Sequence, residues 1–136
     1  MPTVLTIAGV VLRDAEGRML TVRKSGTTMF MLPGGKLETG EASDEAATRE
    51  LAEELGIEVP AASLRLLGSW RATAANEPDT VVESTIYCSD SIEEPMAAAE
   101  IAELVWMRLD EASEYANVAP LLRLHVVPTL LALVRH

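Results

Sequence analysis

Between positions 38 and 54 the chain carries seven carboxylates (Glu38, Glu41, Asp44, Glu45, Glu50, Glu53 and Glu54) and a single cation, Arg49. Ala46, Ala47, Leu51 and Leu55 run through the same stretch at helical spacing. The segment therefore predicts an amphipathic helix whose apolar side must pack against another layer. Ser43 reads as its N-cap, Asp44 and Glu45 fall in the first turn where the helix dipole favours acids, and Gly56 supplies the C-terminal stop. At 100° per residue, Glu50, Glu53 and Glu54 share an arc of about 100°. Like charges so placed repel, and a solvated helix face ordinarily interleaves lysine or arginine. An oxygen-only cluster of this kind suits a hard divalent cation such as magnesium or manganese, and a solvated acidic face is the competing reading.

The remaining pattern supplies the layer for that helix to cover. Residues 3–12 are nearly continuous in β-branched and aliphatic side chains, as in a central strand buried on both faces. Residues 18–24 alternate, and Asp14-Ala15-Glu16-Gly17 carries turn chemistry, so the two strands are expected to pair as a hairpin. A short apolar run at 29–32 stops at Pro33-Gly34-Gly35, which predicts a backbone turn followed by a loop over 36–42. Residues 64–74 and 80–89 suggest a second hairpin about the turn Ala75-Asn76-Glu77-Pro78-Asp79, and 101–109 a further strand. Residues 110–115 predict a short helix. A last helix is expected over 119–135, with Pro120 in its first turn and a kink at Pro128. The order β-β-β-α-β-β-β-α predicts an α/β fold with a mixed sheet and helices on both faces, in one domain spanning 1–136.

Composition narrows the function. Hydrophobic residues at 49% against 24% charged exclude a disordered chain. A net charge of -10 opposes binding to a nucleic-acid polymer. The one cysteine, Cys88, excludes an internal disulfide framework and cysteine-rich metal sites, and it fits a reducing, cytoplasmic compartment. No apolar run is long enough to suggest a membrane span.

The spacing of the acidic segment is more specific than its composition. Gly35, five residues, Glu41, seven residues, then Arg49-Glu50-Leu51-Ala52-Glu53-Glu54-Leu55-Gly56-Ile57 resembles the Nudix box, GX5EX7REUXEEXGU with U aliphatic, at all nine constrained positions over 23 residues. The resemblance implies an α/β/α sandwich that hydrolyses a nucleoside diphosphate linked to another moiety, with magnesium, or manganese in its place, as cofactor. It implies Gly35 (through its carbonyl), Glu50, Glu53 and Glu54 as metal ligands, and Arg49 with Glu41 as an ion pair orienting the catalytic glutamates. Metal-bridged phosphate oxygens lose charge and a metal-activated water attacks phosphorus in line.

Other assignments by resemblance are looser. Glu100, six residues before Trp106, resembles the late-loop general base of MutT-like members, with Glu93, Glu94 and Glu103 as rivals to it. Arg23 and Asn117 resemble base-contacting residues, and Lys36 could touch a phosphate. Trp70 and Trp106 read as core or sheet-face residues, and His125 and His136 have no sequence link to the carboxylates. The stretch Trp70-Arg71-Ala72-Thr73-Ala74 lacks the proline of ADP-ribose hydrolases and the tyrosine of diadenosine polyphosphate hydrolases, which leans toward a nucleoside triphosphate or modified nucleotide. An ADP-ribose or nucleotide-sugar hydrolase and a non-catalytic nucleotide sensor are the alternatives. The last helix carries two apolar stripes (Leu121, Leu124, Val127, Leu131 and Leu122, Val126, Leu130, Leu133), which fits burial in one domain or a homodimer face.

Overall fold

The computed structural model describes residues 2–133 and the backbone of 134, apart from 76, 92, 113, 115 and 116. Asn76, Tyr115, Arg135 and His136, all named in the expectations above, lie outside the described residues. Among the described residues six strands and three α-helices follow in order: β1 (Thr3–Val11), β2 (Met19–Lys24), β3 (Gly34–Lys36), α1 (Ser43–Leu55), β4 (Arg65–Thr73), β5 (Thr80–Cys88), β6 (Ile101–Met107), α2 (Leu109–Ala112) and α3 (Val127–Val134). A π-helical turn, Leu122–Val126, leads directly into α3.

Four strands form a mixed sheet in the order β3-β1-β5-β4, with β1 parallel to β5 and the other pairs antiparallel. β1 is interior, as its unbroken apolar run requires, and its side chains split between two cores. Ala8, Val10 and Leu12 pack with Ala46, Ala47, Leu51 and Leu55 of α1. Val11, on the opposite face, packs with Leu121, Leu122, Val126 and Val127 of the last helical segment. The expected sandwich is present, with one helix on each face.

The first expected hairpin is only partly formed. Its tip exists: Gly17 turns at φ 80°, the Gly17 and Arg18 amides donate to the Asp14 carbonyl and side chain, and Arg13 bridges Met19. Beyond the tip β2 leaves β1 and pairs with β6 in a separate two-stranded sheet. The reason is occupancy, because both hydrogen-bonding edges of β1 are taken, one by β3 and the other by β5. The β4–β5 hairpin forms as expected, with a register irregularity between Leu66 and Gly68.

Three local expectations change. Gly34-Gly35 is not a turn but the body of β3, paired antiparallel with Ala8 and Gly9. The N-cap of α1 is Ala42, whose amide is held by the Glu45 carboxylate at 2.9 Å, while the Ser43 hydroxyl instead bonds the Tyr87 hydroxyl at 2.7 Å. In the last helix the effect of Pro128 appears as a widened turn before it: the Val127 amide donates to the Leu122 carbonyl five residues back. Proline has no amide to donate and its ring crowds the carbonyl four residues earlier, so a π turn relieves both. Most of both apolar stripes is buried within the domain, leaving Leu124 and Leu133 as the exposed leucines of the segment. Among the described residues no helix is long and apolar enough to cross a membrane.

Candidate active site

Three successive residues of β3 each meet one residue of α1. The Gly34 amide donates to Glu54 Oε1 at 2.9 Å. The Glu50 carboxylate lies against Gly35 so closely that a Cβ there would sit 2.6 Å from its Cδ. The Lys36 carbonyl accepts from Arg49 Nη2 at 3.0 Å. The glycines thus serve the approach of carboxylates to a strand backbone. A Gly35→Ala substitution is expected to displace the Glu50 carboxylate and lower kcat for phosphoanhydride hydrolysis by about 100-fold. The fold should survive, since the atoms met are the mobile end of a side chain. Steady-state kinetics beside a thermal melt checks both halves.

Arg49 ties the loop to the helix. Its Nε and Nη2 grip both oxygens of Glu41 at 2.8 and 3.0 Å, and its Nη1 touches Glu50 Oε1 at 2.8 Å and Glu53 Oε2 at 3.2 Å. The bidentate pair holds the Glu41 carboxyl below its ordinary pKa and the Arg49 guanidinium above its own. Glu41, Arg49, Glu50 and Glu53 are therefore brought together as the box resemblance implies.

The three helix carboxylates differ sharply in burial, with side-chain exposures of 0% for Glu54, 13% for Glu50 and 54% for Glu53. Burial raises the Glu50 pKa, with Arg49 opposing, and pushes that of Glu54 up to about 7, with the Gly34 amide and Lys24 opposing. Glu54 Oε2 has no hydrogen-bond partner and faces Lys24 Nζ at 3.5 Å. Between the ordinary carboxyl pKa of 4.5 and about 7 the folded protein binds more protons at Glu54 than the unfolded chain does, so its contribution to stability falls as pH rises. Metal-free protein is expected to lose up to about 3 kcal/mol of stability between pH 4.5 and 8 from this group. Urea unfolding at several pH values measures it, and a flat profile would contradict the assignment.

These donors fit a hard divalent cation. They are oxygen only, and the buried Glu54 Oε2, which makes no hydrogen bond and has the Lys24 ammonium at 3.5 Å, is an oxygen that a cation stabilises. Among the described residues no three His, Cys, Asp or Glu side chains are gathered at metal-ligand geometry, because Arg49 draws Glu50 and Glu53, and Gly34 and Lys24 flank Glu54.

The site opens on a cleft of about 580 Å³, a size typical of small-molecule sites. Lys24, Gly34, Gly35, Lys36, Arg49 and Glu50 line it together with the apolar Leu5, Ile7, Val82, Ile86, Leu121 and Leu122, while Glu53 and Glu54 are not on its wall. No tryptophan lines it: Trp70 stacks on His125, with ring centroids 6.0 Å apart, and Trp106 packs toward the α1 core.

Three expected site residues lie elsewhere. Arg23 does not line the cleft and is held by Glu103 at 2.7 Å and the carbonyl of Thr27 at 2.8 Å. The Asn117 side chain is exposed and its carbonyl accepts from the Phe30 amide. Glu100 is exposed, with its carbonyl bound by the Ser25 amide, and does not line the cleft. Of its rivals, Glu103 is committed to Arg23, and Glu93 and Glu94 are exposed. Lys24 is the residue the sequence reading missed. The signal was present, since alternation in β2 sets Lys24 in series with Leu20 and Val22, whose buried side chains pack with α1.

Comparison with known proteins agrees with this geometry. The NUDIX domain matches residues 4–126. A MutT-like protein of Streptomyces ambofaciens is 32% identical over 110 residues, covering 81% of this chain and 67% of its own length. A putative 8-oxo-dGTP diphosphatase of Bacillus subtilis (strain 168) is 37% identical over 49 residues, 36% of this chain and 33% of that protein. The crystal structure of a MutT protein from Methanosarcina mazei Go1 superposes with a TM-score of 0.76 over 98% of this chain and 95% of that one, at 19% identity. The fold, the arrangement of the box residues and the match over residues 4–126 place this chain in the NUDIX family, whose members are pyrophosphohydrolases acting on phosphorus anhydrides and generally need divalent metal ions.

Proposed function

We propose that this chain hydrolyses the pyrophosphate linkage of a nucleoside triphosphate or a modified nucleotide, with magnesium as the working cation and manganese able to replace it. One observation carries the reading: a fully buried carboxylate oxygen without a hydrogen-bond partner, on Glu54, whose other oxygen is held by the Gly34 amide, lies next to a cleft that Lys24, Gly34, Gly35 and Glu50 line together with apolar side chains. The polar lining suits a phosphate chain and the apolar lining a nucleobase. The similarity to a putative 8-oxo-dGTP diphosphatase supports a nucleotide as substrate.

Glu50, Glu53, Glu54 and the Gly35 carbonyl would hold the cation, which supplies neutralisation of phosphate oxygens and acidification of the attacking water. Glu41 and Arg49 set the positions of Glu50 and Glu53 through the contacts described above. Lys36 and Lys24 line the cleft, where an ammonium group would meet the phosphates. Glu53, the most exposed of the three helix carboxylates, would take the proton of the attacking water. Glu100 is the alternative base, and comparing kcat of Glu53→Gln with that of Glu100→Gln separates the two.

Purified protein with a panel of nucleoside triphosphates, oxidised nucleotides, ADP-ribose and nucleotide sugars, titrated with magnesium, tests the reading. Release of pyrophosphate or phosphate from a nucleoside triphosphate is expected. Saturable nucleotide binding without turnover under any metal would instead identify a sensor. We place the activity in the cytoplasm, which the single free thiol of Cys88 fits. A homodimer built on the last helix would have to use Leu124 and Leu133, and sedimentation at micromolar concentration reads the assembly state.

A further inference from the structure

Lys24 combines three features that a simple structural ion pair does not. Its partner, Glu54, is fully buried, while Lys24 itself retains 35% side-chain exposure and lines the cleft. The 3.5 Å separation from Glu54 Oε2 is longer than the roughly 2.7–2.9 Å of a charge-assisted hydrogen bond, and that oxygen has no hydrogen-bond partner. The second oxygen of Glu54 accepts from the Gly34 amide at 2.9 Å, which anchors the buried carboxylate, whereas the partly exposed Lys24 ammonium sits on a flexible four-carbon stem. The other cation near the helix carboxylates, Arg49, is committed to Glu41, Glu50 and Glu53.

The backbone of Lys24 is itself anchored. Its carbonyl accepts from both the amide and the hydroxyl of Thr27, at 3.1 and 2.7 Å, and its register partner in β6 is Ile101. Any displacement of the ammonium is therefore a swing of the four-carbon side chain, and the space open to it is the cleft.

We infer that Lys24 is an exchangeable internal cation: it neutralises Glu54 Oε2 while no divalent ion is bound, yields that oxygen to the ion, and turns its ammonium into the cleft toward the substrate's phosphates. The inference rests on the metal-site reading of the previous subsection and adds a consequence for affinity. A positive charge beside the ligand oxygen opposes a divalent cation there, so Lys24 sets the concentration of cation at which the site fills. After the exchange the same charge favours a polyanion in the cleft. Cation uptake and substrate binding are thereby coupled through one side chain.

The test measures manganese binding without nucleotide, by the electron paramagnetic resonance signal of free Mn2+, at pH 8.5. Lys24→Met is expected to bind Mn2+ about tenfold more tightly than the wild type, because a competing charge has been removed. Lys24→Arg, which keeps the charge, should stay within about threefold of the wild type. Arg23→Met makes the same change of net charge on the opposite face of β2, where the side chain pairs with Glu103, and should shift the affinity less than about twofold. In kinetics, Lys24→Met should raise KM for the nucleotide while lowering the magnesium needed for half-maximal rate. Unchanged or weaker Mn2+ binding in Lys24→Met, with wild-type turnover intact, overturns the exchange and leaves the proposed function standing. An equal gain in Arg23→Met also overturns it, as an effect of bulk charge. Absence of saturable Mn2+ binding in the wild type overturns the metal-site reading and the exchange together.

Discussion

Glu54→Gln is expected to lower kcat for nucleotide hydrolysis by about 1,000-fold, the scale of removing a cation ligand that stabilises transition-state charge. The substitution preserves shape, and the amide oxygen of glutamine can still accept from the Gly34 amide that Glu54 Oε1 now engages. The other half of the group then presents NH2 where Oε2 stood. It cannot ligate a cation, and it faces the Lys24 ammonium as donor against donor. Mn2+ binding should be lost along with turnover. The fall of metal-free stability between pH 4.5 and 8 should flatten in this variant as well, since its source is the raised pKa of this one carboxyl. A variant that keeps both turnover and the pH profile would remove Glu54 from the site and from the stability argument together.

Gly34→Ala carries the largest expected effect on the fold. The backbone there has φ 153°, and an added Cβ would run into the Ala8 carbonyl oxygen and stand 2.7 Å from Gly9 Cα, both in the central strand. Backbone cannot give way as a side-chain tip does, so β3 has to separate from β1. That separation also removes the Gly34 amide from Glu54. A loss of about 4 kcal/mol is expected, from the strained backbone and the overpacking combined, which lowers Tm by roughly 15 °C in a chain of this length. Chemical denaturation gives the comparison, and a midpoint equal to that of the wild type would show that β3 does not sit against β1 as described. The contrast with Gly35→Ala is informative, because the atoms nearest to a Cβ on that glycine are those of the Glu50 carboxylate and its loss should be read in kcat rather than in stability.

Much of the architecture was legible because it is periodic. The unbroken apolar run of β1 announced a strand covered on both faces, and Ala46, Ala47, Leu51 and Leu55 announced the helix that covers one of them. The departures arose where pairing depends on distant chain. Residues 18–24 look like the second arm of a hairpin, but β1 had already spent its edges on β3 and β5, so β2 joined β6 from the far end of the sequence. Ser43 has the chemistry of an N-cap, yet Tyr87, 44 residues away, claims its hydroxyl. Pro33-Gly34-Gly35 has turn composition, and became a strand because the close approach of Ala8, Gly9 and the α1 carboxylates requires residues without a Cβ.

The candidate site divides in the same way. The spacing of Glu50, Glu53 and Glu54 by itself determined that three carboxylates share one helical arc, since helix geometry is local and repeats every 3.6 residues. It also set Arg49 one turn from Glu53, whereas the pairing with Glu41 and the place of Gly35 were implied by the resemblance. What only the tertiary structure decided is how the three carboxylates differ. Glu54 is buried because β3 closes over it and Lys24 approaches from β2, while Glu53, one residue earlier, is left half in water. Desolvation depends on what packs above a position, and that is contributed here by strands 18 to 30 residues away in sequence. The same long-range packing kept Arg23 off the cleft wall, brought Lys24 onto it, and gave the cleft both a charged and an apolar lining.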